Sequence, residues 1–506
     1  MTTKYTSLFA FILILQHFGF AQRCGMTPQM GEEMLIRTQR NINQLRSQPI
    51  QQRDVSYLPI TFHVVYREDG LDTLSTDKIL DQMCQINTIY DPDFQFYIKN
   101  IRKIVNSDIY YDHTNFTTLM ASMIDETSIN VWIVGDIDLS GENVSAFFPA
   151  GYYSPGNNWI IMNQDYIGMG ETALPHQLGH YWGLPHTFAG CATSALVDFF
   201  MGNDPQVPDS LTLGCALELQ DGSNCSTTGD LICDTPPDYG FGYQWTDCNY
   251  TAQILDQNGE EVHPMEENLM GSFIGNDCEA DDFRLTPTQI DLMRMEINSL
   301  PPFPAPEDTE ITTSPTLISP VNNEVTPFYD NILLEWEAVA GATFYFLEIS
   351  PFPTFTTSLP LLTTTVSDHS ILLSSDFFAP GKKYYWKVRP FNFTHTCSPF
   401  SPSASFSTGT ISNISKIEAV EQINIIPNPV RGGNFIKMEM TTSKSFDGKI
   451  QLSNTNGQQI GQSFQQHFLL GRSQIKLPFN KLPSGLYFIK ITKESQQITK
   501  KIMITD

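Results

Sequence analysis

The sequence predicts three folded units in series: a mixed α+β domain over residues 56–300, a β-sandwich over residues 315–410 and a small C-terminal β-sandwich over residues 425–506. Three observations predict it. A chain of 506 residues is longer than one core organises, at about 100–200 residues per domain. Helical and strand periodicities alternate up to residue 300, whereas beyond it only strand-length apolar runs recur. The stretch 301–314, PPFPAPEDTEITTS, has the composition of a linker, and a second linker over 411–424 separates the last two units.

Residues 1–22 read as a signal peptide: Lys4, the apolar run from Leu8 to Leu15, then Gly19-Phe20-Ala21 with the small residues a signal peptidase requires. That run is too short to span a bilayer, and no other stretch approaches the roughly 20 apolar residues of a transmembrane helix. Residues 23–55 are polar, with a short helix expected from Met30 to Leu45, and form either a pro-segment or an N-terminal extension. Ile60, Phe62, Val64 and Tyr66 alternate as in a half-buried strand, on which His63 reads as structural. After Ser75 or Thr76 as cap, Ile79, Leu80, Met83, Ile86 and Tyr90 follow helical spacing; Cys84 beside that stripe reads as a buried thiol. Ile129–Val134 and Trp159–Met162 have strand length.

Six cysteines (Cys191, Cys215, Cys225, Cys233, Cys248, Cys278) crowd one loop-rich region, where three disulfides are possible in 15 connectivities, while Cys24, Cys84 and Cys397 are left over. Strands are expected at Ile332–Trp336, Phe344–Ile349 and Tyr384–Val388, and in the last unit at Ile475, Leu477 and Tyr487–Ile491, with Asn456-Gly457 as a hairpin turn. The 29 basic and 55 acidic side chains give a net charge of -26, which excludes nucleic acid and anionic membranes as partners. The charge is uneven: residues 425–506 carry 11 Lys and Arg against 4 Asp and Glu.

Chemistry concentrates in Leu174-Pro175-His176-Gln177-Leu178-Gly179-His180-Tyr181-Trp182-Gly183-Leu184-Pro185-His186. Histidines at i and i+4 share one helix face, so His176 and His180 can reach one ion. Gly183 then suits the sharp turn, through positive φ, that brings His186 round as third ligand. With this composition, three histidines and a glycine reach that spacing by chance about 2 times in 10,000. Pro175 falls in the first turn if Thr172 is the cap, where its missing N–H costs no hydrogen bond.

The spacing is that of the zinc-binding H-x-x-x-H-x-x-G-x-x-H of metzincin metallopeptidases. With Gly183-Leu184-Pro185-His186-Thr187-Phe188, Gly229-Asp230, Cys233-Asp234-Thr235-Pro236, Asn268-Leu269-Met270, and Cys278 before Phe283 and Gln289, residues 56 to 300 resemble the pappalysin family. The resemblance implies a metzincin-like fold, extracellular peptide-bond hydrolysis with zinc on His176, His180 and His186, and Met270 as the Met-turn methionine. It also implies structural calcium, to be sought at Asp230, Asp234 and Thr235; the same residues equally suit a hydrogen-bonded acidic loop. Cys24 could occupy the fourth zinc position as a latency ligand, pair in a disulfide or remain a terminal thiol.

Two positions depart from the family pattern. Gln177 stands where the general-base Glu belongs, and an amide cannot take a proton from metal-bound water. Ser272 stands where relatives carry a Tyr near the substrate. The expectation is therefore a damaged or inactive zinc endopeptidase acting on extracellular proteins, or a non-catalytic zinc protein that binds peptide partners. Residues 315–410, with Trp336, Tyr345 and Tyr385-Trp386-Lys387-Val388, resemble a fibronectin type III domain, read as a spacer, with carbohydrate or protein binding as the alternative. Ile426-Pro427-Asn428-Pro429, Gly485-Leu486-Tyr487-Phe488-Ile489-Lys490 and Lys500-Lys501 resemble the type A sorting domain of the type IX secretion system of Bacteroidota. That resemblance implies export across both membranes, to the cell surface or the medium, through the type IX machinery.

Overall fold

The computed structural model describes residues 24–25, 28–47, 55–70, 74–137, 150–189, 216–240, 242, 248–251, 253–274, 278–355, 362–373, 377–410, 417–428, 430–431, 436–454, 458–479, 482–494 and 496–505. The signal-peptide reading, Cys191, Cys215 and the Asn456-Gly457 turn lie outside them.

Helix α1 (Pro28–Ser47) is longer than the expected Met30–Leu45. Strand β1 (Ser56–Tyr66) lies between β2 (Phe94–Val105) and β3 (Ile129–Val134), with edge strand β4 (Gly151–Ser154) reached through β5 (Trp159–Asn163). All neighbours are parallel except the β4–β5 pair. Alternation predicted a half-buried β1, but Leu58 to Val65 are all buried. A central parallel strand is covered on both faces. Leu58, Ile60, Phe62 and Val64 join the main core, and Val65 packs with Trp132, Trp159 and Ile161 in a second core behind the sheet. His63 stacks on Trp132 with ring centroids 4.3 Å apart and pairs with Asn130 at 2.9 Å, a structural role.

Helix α2 (Thr76–Tyr90) buries Ile79, Leu80, Met83, Ile86 and Tyr90 against this sheet; Ser75 holds the cap position without a side-chain bond. Helices α3 (Ala173–Tyr181) and α4 (Pro287–Asn298) also belong to the first unit. α1 docks on it through Met34 and Ile42 in the core, Arg37 paired with Glu296 at 2.8 Å, and Thr38 Oγ1 donating to the Gly183 carbonyl. Among the described residues, the disulfides Cys225–Cys233 and Cys248–Cys278 staple the loop-rich region.

The second unit is a sandwich. One sheet orders β10 (Leu362–Val366), β9 (Phe344–Ser350), β12 (Lys383–Phe391), β13 (Ala404–Ser407) and β7 (Glu324–Val325); the other orders β11 (Ser370–Leu373), β8 (Ile332–Trp336) and β6 (Leu317–Ser319). Trp336 and Trp386 fill its centre.

Two expectations are corrected here. Cys84 is not a lone buried thiol: it lies half-buried on the flank of α2 that faces the sandwich and is bonded to Cys397. Nor is the sandwich a mere spacer. Phe346 and Phe391 belong to the first unit's core, the Ile98 N–H donates to the Phe393 carbonyl at 2.7 Å, and buried Arg389 pairs with Asp81. The 301–314 linker is itself held along the sandwich by Asn392 donating to the Thr309 carbonyl and Thr394 to the Asp308 carboxylate.

The third unit is a second sandwich, with a three-stranded sheet of β14 (Val420–Ile426), β16 (Ile436–Thr442) and β19 (Gly471–Leu477). Its other sheet orders β15 (Val430–Arg431), β21 (Gln496–Thr505), β20 (Gly485–Lys493), β17 (Phe446–Asn454) and β18 (Phe464–Phe468). Among the described residues, no helix is long and apolar enough to cross a membrane.

Candidate metal centre

α3 is buried along its whole length and runs under the edge strand β4. It begins at Ala173, so Pro175 sits in the first turn as expected, although Thr172 caps through position alone and forms no side-chain bond. Its other end is closed by a paired 6→1 and 5→2 arrangement: the Leu184 N–H donates to the Gly179 carbonyl at 3.0 Å and Gly183 N–H to that of His180 at 2.9 Å. Gly183 takes φ 93°, the left-handed conformation expected of it. The chain then doubles back and returns His186 to the two helix histidines.

The His186 Nε2 lies 3.2 Å from His176 Nε2 and 3.1 Å from His180 Nε2. Cys24 Sγ completes the set at 3.5 Å from His180 Nε2, and the four ligand atoms lie within 4.8 Å of one another. Backbone carbonyls fix the tautomers. His176 Nδ1 is 2.7 Å from the Leu269 oxygen and His180 Nδ1 is 2.8 Å from the Leu184 oxygen. A carbonyl only accepts, so both Nδ1 atoms carry the proton and both Nε2 lone pairs point inward. One proton on His186 could satisfy one of them, not both. A cation satisfies all three: tetrahedral ligands about 2.0–2.1 Å from zinc stand roughly 3.3 Å apart. Burial also depresses the basicity of the histidines, His176 to about 4, keeping the imidazoles neutral and available as ligands at neutral pH.

Met270 lies fully buried beneath this helix, with its sulfur where a Cβ on Gly179 would come within 2.4 Å. Only glycine at 179 permits that approach. Gln177 is fully buried, its Nε2 3.3 Å from both Cys24 Sγ and the Gly151 carbonyl oxygen. Ser272 is buried too; its Oγ donates to Asp238 and accepts from the Gly242 N–H. Glu171, the carboxylate nearest in sequence, is outside the ligand group, and its backbone carbonyl accepts from Gln82.

Residues 424–505 match the model of the secretion system C-terminal sorting domain. The chain thus carries a type IX sorting tail, which engages the secretion machinery and directs export to the cell surface or the medium. No curated protein matches the chain. Among solved structures, the FN1–FN3 domains of chicken CNTN1 are similar at 15% identity over 40% of this chain and 70% of that one, with a TM-score of 0.18. The FN3tt structure is similar at 17% identity over 20% of this chain and 99% of that one, TM-score 0.15. The fn3 domain of the human collagen alpha-1(XX) chain is similar at 20% identity over 22% and 95%, TM-score 0.14.

The supports of the ligands were not legible as such. Asn268 and Gln289 exchange amide hydrogen bonds at 3.0 and 3.2 Å, and Asn268 Oδ1 accepts the Met270 N–H, holding the turn whose Leu269 carbonyl orients His176. Gln289 also closes the capping box of α4 with Thr286. Asn268→Ala is expected to weaken metal affinity about 10-fold, read by chelator competition. Asp238 accepts from Thr187 Oγ1, beside His186, and from the Ser272 and Gly240 N–H groups.

The residues expected near calcium are placed differently from one another. Asp230 and Thr235 are buried and bonded together at 3.0 Å, whereas Asp234 accepts from Thr286 Oγ1 and the Thr288 N–H at the start of α4. Glu218 is buried beside Asp230, and burial, aided by that charge, pushes its carboxyl up to about 9. A folded-state value above the unfolded one favours the protonated form, so this contribution is fully present below about 4.5 and lost as pH rises towards 9. Stability should fall by about 3 kcal/mol between pH 4.5 and 7 in chelator, and Glu218→Gln should flatten that slope in denaturant titrations. Calcium bound at these carboxylates would hold them ionised, so added calcium flattening the natural chain's slope would mark its site.

Proposed function

We propose that residues 56–300 are a pappalysin-like zinc domain of metzincin type, carried outside the cell by the sorting tail, whose zinc centre is retained while peptide hydrolysis is weak or absent. The observation that carries this reading is the convergence of the His176, His180 and His186 Nε2 atoms, with Gln177 on the same helix where a base is required. The three histidines and Cys24 would hold zinc, which lowers the pKa of a bound water where a ligand position is open.

The chain's own residues then determine the outcome. Leu269 and Leu184 carbonyls hold two imidazoles in the ligating tautomer. Gln177 can donate a hydrogen bond at the site but cannot accept a proton from water or pass one to a leaving amine. Met270 supports the helix from below. Ser272, engaged with Asp238, offers no phenol to an oxyanion. A protein or peptide could still be bound without being cut.

The test measures zinc and turnover together on the full exported chain. One zinc per chain, lost in His180→Ala, with turnover at or near background on a peptide library, is the expected result. Absence of zinc in folded natural protein would overturn the metal reading, and chelator-sensitive turnover at ordinary protease rates would overturn the catalytic one.

A further inference from the structure

We propose that Gln177 locks Cys24 onto the metal, making the thiolate a resident fourth ligand and the segment around it a fixed part of the domain. This rests on the zinc reading above. The starting point is the orientation of the Gln177 amide. The Gly151 carbonyl can only accept, so the group 3.3 Å from it is the NH₂, and that same nitrogen lies 3.3 Å from Cys24 Sγ. The amide thus donates toward the sulfur that closes the ligand set.

A glutamate at 177 would act in the opposite sense. Its carboxylate would face the Gly151 carbonyl and a thiolate with no proton to offer either, and like charges at hydrogen-bond distance repel. A thiol latch over a site with a glutamate base is therefore easily released. With an amide it is held. The substitution that removes the base is the one that favours the closed centre.

The chain on both sides of the thiol is tied down in the same sense. Cys24 forms a parallel bridge with Gly151, and the Gly25 N–H donates to the Gly151 carbonyl at 2.9 Å, so the segment occupies the free edge of β4. An extended peptide ligand would need that edge. Downstream, Arg37 and Asn41 both reach Glu296, and Thr38 bonds to the carbonyl of Gly183 in the turn that presents His186. A centre with four protein ligands has the form of a structural zinc site rather than a catalytic one, which keeps a position open.

The experiment uses the full exported chain loaded with zinc, or with cobalt as a spectroscopic substitute, in the natural form and as Gln177→Glu and Gln177→Met. Two readouts are followed: the near-ultraviolet thiolate-to-cobalt charge-transfer band, and the rate of iodoacetamide labelling at Cys24 by peptide mass spectrometry. A hydrogen bond to a charged group corresponds to about a 10- to 100-fold change. The natural chain should show the band and label slowly. Gln177→Met, lacking the donor, should label about 10-fold faster, and Gln177→Glu, adding repulsion, faster still with a weakened band. One metal per chain in each variant shows that the three-histidine site is folded. Stoichiometric metal without a thiolate band in the natural chain, or equal labelling rates in all three forms, would overturn this inference alone. No metal in the natural chain would overturn it together with the zinc reading.

Discussion

Gln177→Glu combined with Cys24→Ser should raise peptidase turnover by about 10²- to 10⁴-fold over the natural chain, the usual worth of a positioned acid/base group. At 1.36 kcal/mol per decade this is about 3–5 kcal/mol of barrier. Neither change should suffice by itself. Glu alone gains a base and loosens the thiol, but the thiol, 3.5 Å from His180 Nε2 in the natural chain, still competes with water for that position, so Glu alone should give only part of the gain. Ser alone opens the position but leaves an amide above it. The two act on one group of atoms, so their effects should be strongly non-additive. The gain should stay in the lower part of that range, because Ser272 leaves the oxyanion without a phenol. The measurement is turnover on a mixed peptide library with and without chelator. A zinc-loaded double variant that remains at background would overturn the proposed peptidase ancestry of the site.

The histidine cluster was legible because bringing three imidazoles to one point imposes a spacing on the chain: two histidines one helical turn apart, a glycine able to take positive φ, and a third histidine three residues on. Strand positions in the sandwiches were legible for a similar reason, since alternation follows from the pleat. What stayed hidden depends on contacts between distant segments. Cys84 looked like a core thiol because the helical period shows which flank is apolar, not which neighbour waits beside that flank. β1 looked half-buried because Thr61 and His63 are polar, yet the second core covers their face. Asn268 and Gln289, 21 residues apart, meet only when α4 packs under the Met270 turn. The thiol of Cys24 reaches the histidines across 152 or more positions, a closure that spacing alone left as one of three alternatives.

Removing the Cys84–Cys397 link, as Cys84→Ala with Cys397→Ala, should cost about 2–5 kcal/mol and release the sandwich from the first unit. The bridge closes a loop with a sequence separation of 313, and restricting so long a loop in the unfolded chain is the main source of the expected effect. The interface beneath it is of a kind that does not stand well alone. Arg389, 4% exposed, pairs with Asp81 and donates to the Thr396 carbonyl, so separation leaves a charge to be rehydrated. Phe346 and Phe391 would leave the shared core for water. The double variant should therefore unfold at lower denaturant concentration and be cut by added protease in the 301–314 linker, where the natural chain resists. Asp81→Ala with the disulfide intact separates the two contributions: it should destabilise by leaving Arg389 unpaired, yet keep the linker protected. Equal protease resistance in all three forms would show that apolar packing between the units is sufficient. The same coupling explains why residues 315–410 cut out by themselves should behave poorly, exposing Phe346, Phe391 and an unbridged Cys397 in place of a closed surface.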